Sequence, residues 1–314
     1  MVENSIHETP GGSRPDKPAA AFTPLLTTRD WNEEWKELQK ARRAADDASH
    51  WDKRAATFGS KDAPNPYVER FLKLAAIRPG ESVLDMGCGT GALSMPLGAA
   101  GHLVVAADFS RGMLGVLEGE LAERGIASVT PKLMSWEDDW AAHAVLPGSV
   151  DVAVASRSIA TADLKDSLMR LTDAARRRVC ITLPTGGSPR TDERVLTAVG
   201  LQNQLGRDYL YAFAILAEEG LKPEVSYIES TRPDTFDTPE EAYETFSRMV
   251  DDAAGALVSA AERDAALARL RPWLADNLVE NPRAGRPDRK GEPEKRLALR
   301  EPRKITWAFI AWDK

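Results

Sequence analysis

Apolar positions along this chain fall into two rhythms. Short apolar runs recur at Ser82–Asp85, Leu103–Asp108, Val129–Met134, Val150–Ala155 and Val179–Leu183, with amphipathic stretches at about 91–100, 111–124, 136–143 and 163–175 between them. An apolar run without alternation must be buried on both sides. Such runs alternating with helices therefore predict a parallel sheet covered by helices on both faces, a doubly wound α/β architecture.

Flanking segments follow other patterns. Residues 1–27 are rich in Pro, Gly and Ala without periodicity and read as a flexible N-terminal arm. Residues 28–58 read as a helical cap: Trp31, Trp35 and Leu38 stand at helical spacing behind an Asp30–Glu33 capping pattern, and a second piece carries Trp51, Ala55 and Phe58. Val68, Phe71, Leu72 and Ala75 mark one face of a further helix. Beyond Leu183, "RDYLYAFAILAEEGLKP" is a helix stopped by Gly220 and Pro223, and "EVSYIES" alternates as a strand. Residues 233–303 read as a helical insert. Thr238–Glu241 and Ser259–Glu262 are capping boxes, Leu267, Leu270, Leu274 and Leu278 continue one apolar stripe, and "NPRAGRPDRKGEPEKRLALREPRK" reads as a solvated charged loop. "ITWAFIAW" closes the chain as a final strand, so the sheet-bearing domain is expected over 59–232 and 304–314.

Composition narrows the partners. The 314 residues hold 41 Lys+Arg against 48 Asp+Glu, a net charge of −7, which gains nothing from counterion release on DNA or RNA; no nucleic-acid partner is expected. Two cysteines, Cys88 and Cys180, make neither a disulfide framework nor a metal-ligand spacing, so no metal is expected and a reducing, cytoplasmic setting is. No apolar run approaches the roughly 18 residues of a membrane span, and the first residues lack an apolar signal core.

The chemistry concentrates in "VLDMGCGTGALSMPLGAAGHLVVAADFS", Val83 to Ser110. Gly87, Gly89 and Gly91 allow a sharp strand-to-helix turn and let a ligand lie against bare backbone. Gly87, Gly89 and Ala92 also fit the G-x-G-x-x-A of a dinucleotide site, with a pyrophosphate on the helix N-terminus. Three features oppose that reading. Asp85 would repel a pyrophosphate but suits an ammonium group. Asp108 ends the next strand, where an acid bonds vicinal ribose hydroxyls, with Phe109 beside it for a purine. No basic residue in the loop offsets phosphate charge. The ligand implied is an adenosine with an amino-acid tail and no phosphate, S-adenosylmethionine.

These motifs resemble those of the class I S-adenosylmethionine (SAM)-dependent methyltransferases. "VLDMGCGTG" is close to the family's first motif, "DFSRGML" to its D-x-S-x-x-M-L continuation, and "WDKRAATF" to the W-D-x-x-A-x-x-F entry segment of the type 11 small-molecule branch. The resemblance covers about residues 50–184 and implies a seven-stranded, mostly parallel, Rossmann-like sheet of order 3-2-1-4-5-7-6 with the last strand antiparallel. It implies that Asp85 and the Gly87, Cys88, Gly89 and Gly91 loop hold the methionine portion of SAM, that Asp108 takes the ribose hydroxyls, and that Phe109 and Met113 flank the adenine. In "LMSWED", Ser135 stands where the family usually has an acid against the adenine amino group, and Trp136 follows, leaving Glu137 or the backbone for that contact. "VASRSI" places Ser156 and Arg157 beside the methyl donor.

The acceptor side is less marked. Trp51 closes over donor and acceptor or merely packs the cap. His50 is a candidate general base, and Arg157 either binds an acceptor carboxylate or pairs with an internal acid. Tyr209, Tyr211 and Phe213 cannot all face inward on one helix; Tyr209 and Tyr211 are the pocket candidates. The fourth strand ends in "SRS" rather than an N/D-P-P-Y/F segment, and no Pro-Cys pair is present, which favours a small-molecule acceptor; a monomer or homodimer is expected. Competing readings are a protein or RNA methyltransferase docking through basic residues 283–304, an NAD-dependent oxidoreductase, and a non-catalytic SAM-binding protein.

Overall fold

The computed structural model describes residues 30–41, 47–55, 58, 65–186, 191–201, 207–254, 258–288 and 291–314; the arm expected over 1–27 lies outside them. Five strands, β1 (Val83–Met86), β2 (Val104–Asp108), β3 (Val129–Leu133), β4 (Val150–Ser156) and β5 (Ala175–Pro184), run parallel. They alternate with α4 (Ser94–Ala99), α5 (Arg111–Arg124) and α6 (Leu164–Ala174). β6 (Glu224–Arg232) and the final β10 (Arg303–Asp313) complete a seven-stranded sheet of order β3-β2-β1-β4-β5-β10-β6, with β10 antiparallel to both neighbours. Counted within this sheet alone, the order is the expected 3-2-1-4-5-7-6.

Side-chain alternation splits the core into two layers. Leu84, Ala153, Ala155, Ile181 and Trp312 face one way, toward α1 (Trp31–Ala41), α6 and α8 (Asp208–Glu218). Val83, Val152, Val154, Cys180 and Phe309 face the other, toward α3 (Pro66–Ala75), α4 and α5. Both layers are apolar, which is why the strands show no amphipathic pattern in sequence.

The N-terminal helices are tied to the sheet's carboxyl end. Trp35 of α1 is fully buried and its Nε1 donates to the Thr161 carbonyl at 2.8 Å. The Asn32 side chain donates to Asp163 at 2.9 Å and accepts from the Lys165 amide at 2.9 Å, clasping the first turn of α6. On the other side, α2 (Ala48–Arg54) lays Asp52 on the start of α5, where its Oδ1 accepts from Ser110 Oγ at 2.6 Å and the Gly112 amide at 2.8 Å. A carboxylate at a helix N-terminus is favoured by the unpaired amides there, and these bonds hold Asp52 below the usual carboxylate range.

The structure differs from the sequence expectations in four places. Residues 136–143 form turns, because Asp138 and Asp139 accept from the Ser135 and Ala141 amides and compete with helical pairing. The helix expected over 91–100 is only α4, since Gly91 has φ +86°, outside the helical region. A short helix, α7 (Glu193–Ala198), was not foreseen. The segment before the last strand is not all helix and loop. Around α9 (Pro239–Ala254) and α10 (Ala260–Asn277), strands β7 (Thr235–Phe236), β8 (Leu278–Glu280) and β9 (Leu297–Leu299) form a second sheet of order β7-β9-β8. Leu278 leaves the helical stripe to pair with Leu299, and the charged stretch is anchored by Leu297 and Leu299 in a third core with Phe246, Leu270 and Leu274. Among the described residues no helix is long and apolar enough to cross a membrane.

Trp35→Ala empties a sealed site and removes the Thr161 bond, so a loss of about 3–5 kcal/mol is expected in urea unfolding; a loss under 1 kcal/mol would show that α1 is not fixed to the sheet.

Candidate functional site

The carboxyl ends of β1, β2 and β4 open onto a cavity of about 460 Å³, within the range of small-molecule sites. Asp85, the third residue of β1, is fully sequestered, with one bond from Ser94 Oγ at 2.6 Å. Burial, reinforced by the nearby Asp108 carboxylate, pushes its pKa up to about 6. Asp108, at the end of β2, is also buried; Oδ2 accepts from the Gly89 amide at 2.8 Å and Oδ1 from the Ser110 amide at 2.9 Å. Burial raises its pKa as well. Among the described residues, neither carboxylate makes an ion pair with a basic side chain. Two desolvated acids without a cation are a costly arrangement for an empty protein.

The loop between β1 and α4 is shaped by tight approach. Gly87, at φ +73°, lies against the β4–α6 turn: a Cβ there would stand 2.3 Å from Ser158 Cβ. Ser158 Oγ in turn donates to the Met86 carbonyl at 2.7 Å, locking the two loops together. Gly89, at φ +57°, turns its amide onto Asp108, so the loop and the second acid hold each other. Cys88 lines the cavity, but burial raises its thiol well above the ordinary value, so it is a neutral small side chain there.

Within this geometry, residues 83–178 match a family model described as a methyltransferase domain. That stretch of the chain is a class I SAM-dependent methyltransferase domain. It is 32% identical over 182 residues to an uncharacterized protein of Haemophilus influenzae, covering 57% of this chain and 66% of that one. It is 39% identical over 98 residues to nocamycin O-methyltransferase of Saccharothrix syringae, covering 30% of this chain and 34% of that one. The match thus spans less than two thirds of either relative's length. Among solved structures, YcgJ of Bacillus subtilis is similar at 12% identity and a TM-score of 0.48, over 79% of this chain and 97% of that one.

Asp85, Gly87, Cys88, Gly89, Asp108, Phe109, Met113, Ser135, Trp136 and Ser156 all line the one cavity, with Trp51, Arg157 and Glu137. Gly91 does not. It is buried, and a Cβ on it would meet Leu117 at 2.4 Å, so its smallness serves the packing of α5. Tyr209 and Tyr211 are also outside. Tyr211 packs edge-on against Trp31 and Trp35, with its hydroxyl donating to Glu34, and Tyr209 packs against Tyr227 of β6. Both residues sit on the part of α8 that braces the cap and the sheet edge. His50 does not line the cavity either; it stacks edge-on against Trp51.

Phe58, Tyr67 and Ser158 are among the cavity residues that were not foreseen. Phe58 packs edge-on against Trp51 and reaches to 3.6 Å of where a Gly89 Cβ would stand. Tyr67 of α3 shares its hydroxyl with Ser156 Oγ at 2.8 Å and Thr182 Oγ1 at 2.7 Å, and burial raises its phenol pKa. A second cavity, of about 510 Å³, lies where β5 and β10 meet the insert. Its Arg194 is spent on Asp192 at 2.7 Å and on Glu301 at 3.6 Å.

Gly87→Ala should cost about 2 kcal/mol or more through overpacking and a left-handed alanine. Adding Ser158→Gly should recover part of that loss in denaturant melts; two strictly additive losses would refute the loop-to-loop packing.

Proposed function

We propose that this methyltransferase carries a methyl group from SAM to a small-molecule acceptor by direct in-line displacement. The observation that supports the cofactor reading most is the pair of buried carboxylates, Asp85 and Asp108, at the ends of neighbouring strands. A pyrophosphate would set like charge against Asp85. A cationic amino-acid tail instead supplies the missing counter-charge and relieves the desolvation cost. Asp108 has spent one hydrogen bond on each oxygen; an ionised carboxylate has about four acceptor sites, which leaves room for two vicinal hydroxyls. Phe109 and Met113 offer apolar surface for a purine, with Ser135, Trp136 and Glu137 at its edge.

When bound, SAM supplies a methyl group activated by a positive sulfur, and S-adenosylhomocysteine remains after transfer. The protein's own task is to align the acceptor and strip it of water. Alignment can contribute on the order of 7–11 kcal/mol at best. Trp51 and Phe58, which line the cavity and pack edge-on against each other, are the candidate water-excluding side chains. Tyr67 and Cys88 hold their protons at neutral pH and are poor bases.

A small acceptor is favoured by the likeness to the nocamycin enzyme and by the state of the basic 283–304 segment. Arg283 is paired with Glu294, Lys295 with Glu241, and Arg303 with Asp234. With three of its nine basic side chains already committed to carboxylates, that segment has less positive charge to offer RNA or an acidic protein.

Isothermal titration is expected to give SAM binding and no NAD binding. Because Asp85 must be ionised to meet the ammonium and titrates near 6, SAM affinity should fall about tenfold from pH 7 to pH 5. In Asp85→Asn that dependence should vanish along with most of the affinity. Tight NAD uptake, or SAM binding indifferent to Asp85, would sink the reading. Labelled SAM incubated with cell extract should then yield a labelled low-molecular-weight product.

A further inference from the structure

We propose that Arg157 anchors a carboxylate on the acceptor, so that the substrates of this methyltransferase are small organic acids. The inference rests on the SAM reading above and extends it to the other half of the same cavity.

Three observations converge on Arg157. First, it lines a cavity whose other charged groups, Asp85, Asp108 and Glu137, are all acids. Arg157 is exposed at the cavity wall, and among the described residues its guanidinium is in no ion pair and no side-chain hydrogen bond. Second, the guanidinium lies on a prepared surface. Its carbon sits 4.2 Å from the centre of the Tyr67 ring and 5.7 Å from that of Trp307, and both rings are buried. Stacking on aromatic faces holds a guanidinium flat and leaves its in-plane N–H groups unused. Those N–H groups match the two oxygens of a carboxylate. Third, the backbone is strained to put it there. Arg157 has φ +61°, one of only three non-glycine residues with positive φ among those described. Its amide is held by Thr182 Oγ1 at 3.0 Å, and the same hydroxyl bonds the Tyr67 phenol. One hydroxyl network thus fixes both the arginine's backbone and the ring beneath its head. Strain maintained by surrounding bonds at a cavity wall marks a position kept for binding.

The test uses the full chain saturated with S-adenosylhomocysteine, with benzoate and benzamide as matched probes followed by ligand-observed NMR. Benzoate should bind and benzamide should not, and Arg157→Gly should weaken benzoate by at least about tenfold. Glycine accepts positive φ freely, so Arg157→Gly is expected to fold, and Arg157→Lys should restore only part of the affinity because it lacks the planar fork. Equal binding of both probes, or unchanged benzoate binding in Arg157→Gly, overturns the proposal. Failure of the wild-type chain to take up S-adenosylhomocysteine at all would instead count against the SAM reading.

Discussion

Desolvation of two carboxylates is the constraint around which this protein is arranged. Asp85 and Asp108 sit at the ends of adjacent strands, where two apolar layers exclude water and no basic side chain among the described residues answers them. The folded chain therefore holds the Asp85 proton more tightly than the unfolded chain does, so its contribution favours folding below about pH 4 and is lost as pH rises through about 6. At neutral pH a shift of that size costs the ligand-free protein on the order of 3 kcal/mol. Proteins keep such a debt where a ligand cancels it.

Everything near the acids maintains that arrangement. Gly87 lets the first loop press onto Ser158, which ties it to the β4 turn, and Gly89 turns its amide onto Asp108. α2 contributes Asp52 to the start of α5, next to Asp108, and carries Trp51 to the cavity wall. α1 fixes the opposite rim through Trp35 and Asn32. The cap is thus bound to both sides of the site through side chains far from it in sequence.

Sheet order and the grouping of the strand-end acids with the glycine loop were legible because their signals are local. Apolar runs, glycine spacing and strand-end acids lie within short windows, and they place Asp85, Gly87, Gly89 and Asp108 together. Local signals failed where long-range packing decided. Gly91 looked like a ligand-facing glycine, but Leu117 claims its space. Tyr211 looked like a pocket residue, but Trp31 and Trp35 claim its ring. Tyr67 carried no signal at all, since its bond to Ser156 joins positions 89 residues apart. The small sheet of the insert was hidden for the opposite reason: strands as short as Thr235–Phe236 and Leu297–Leu299 have no periodicity to read.

The most direct measurement is a carboxyl carbon NMR titration of Asp85, assigned by its loss in Asp85→Asn. In the ligand-free protein it should titrate near 6, and saturation with SAM should move it below the ordinary aspartate value as the ammonium arrives. A carboxyl that titrates at about 4 both with and without SAM would contradict the account.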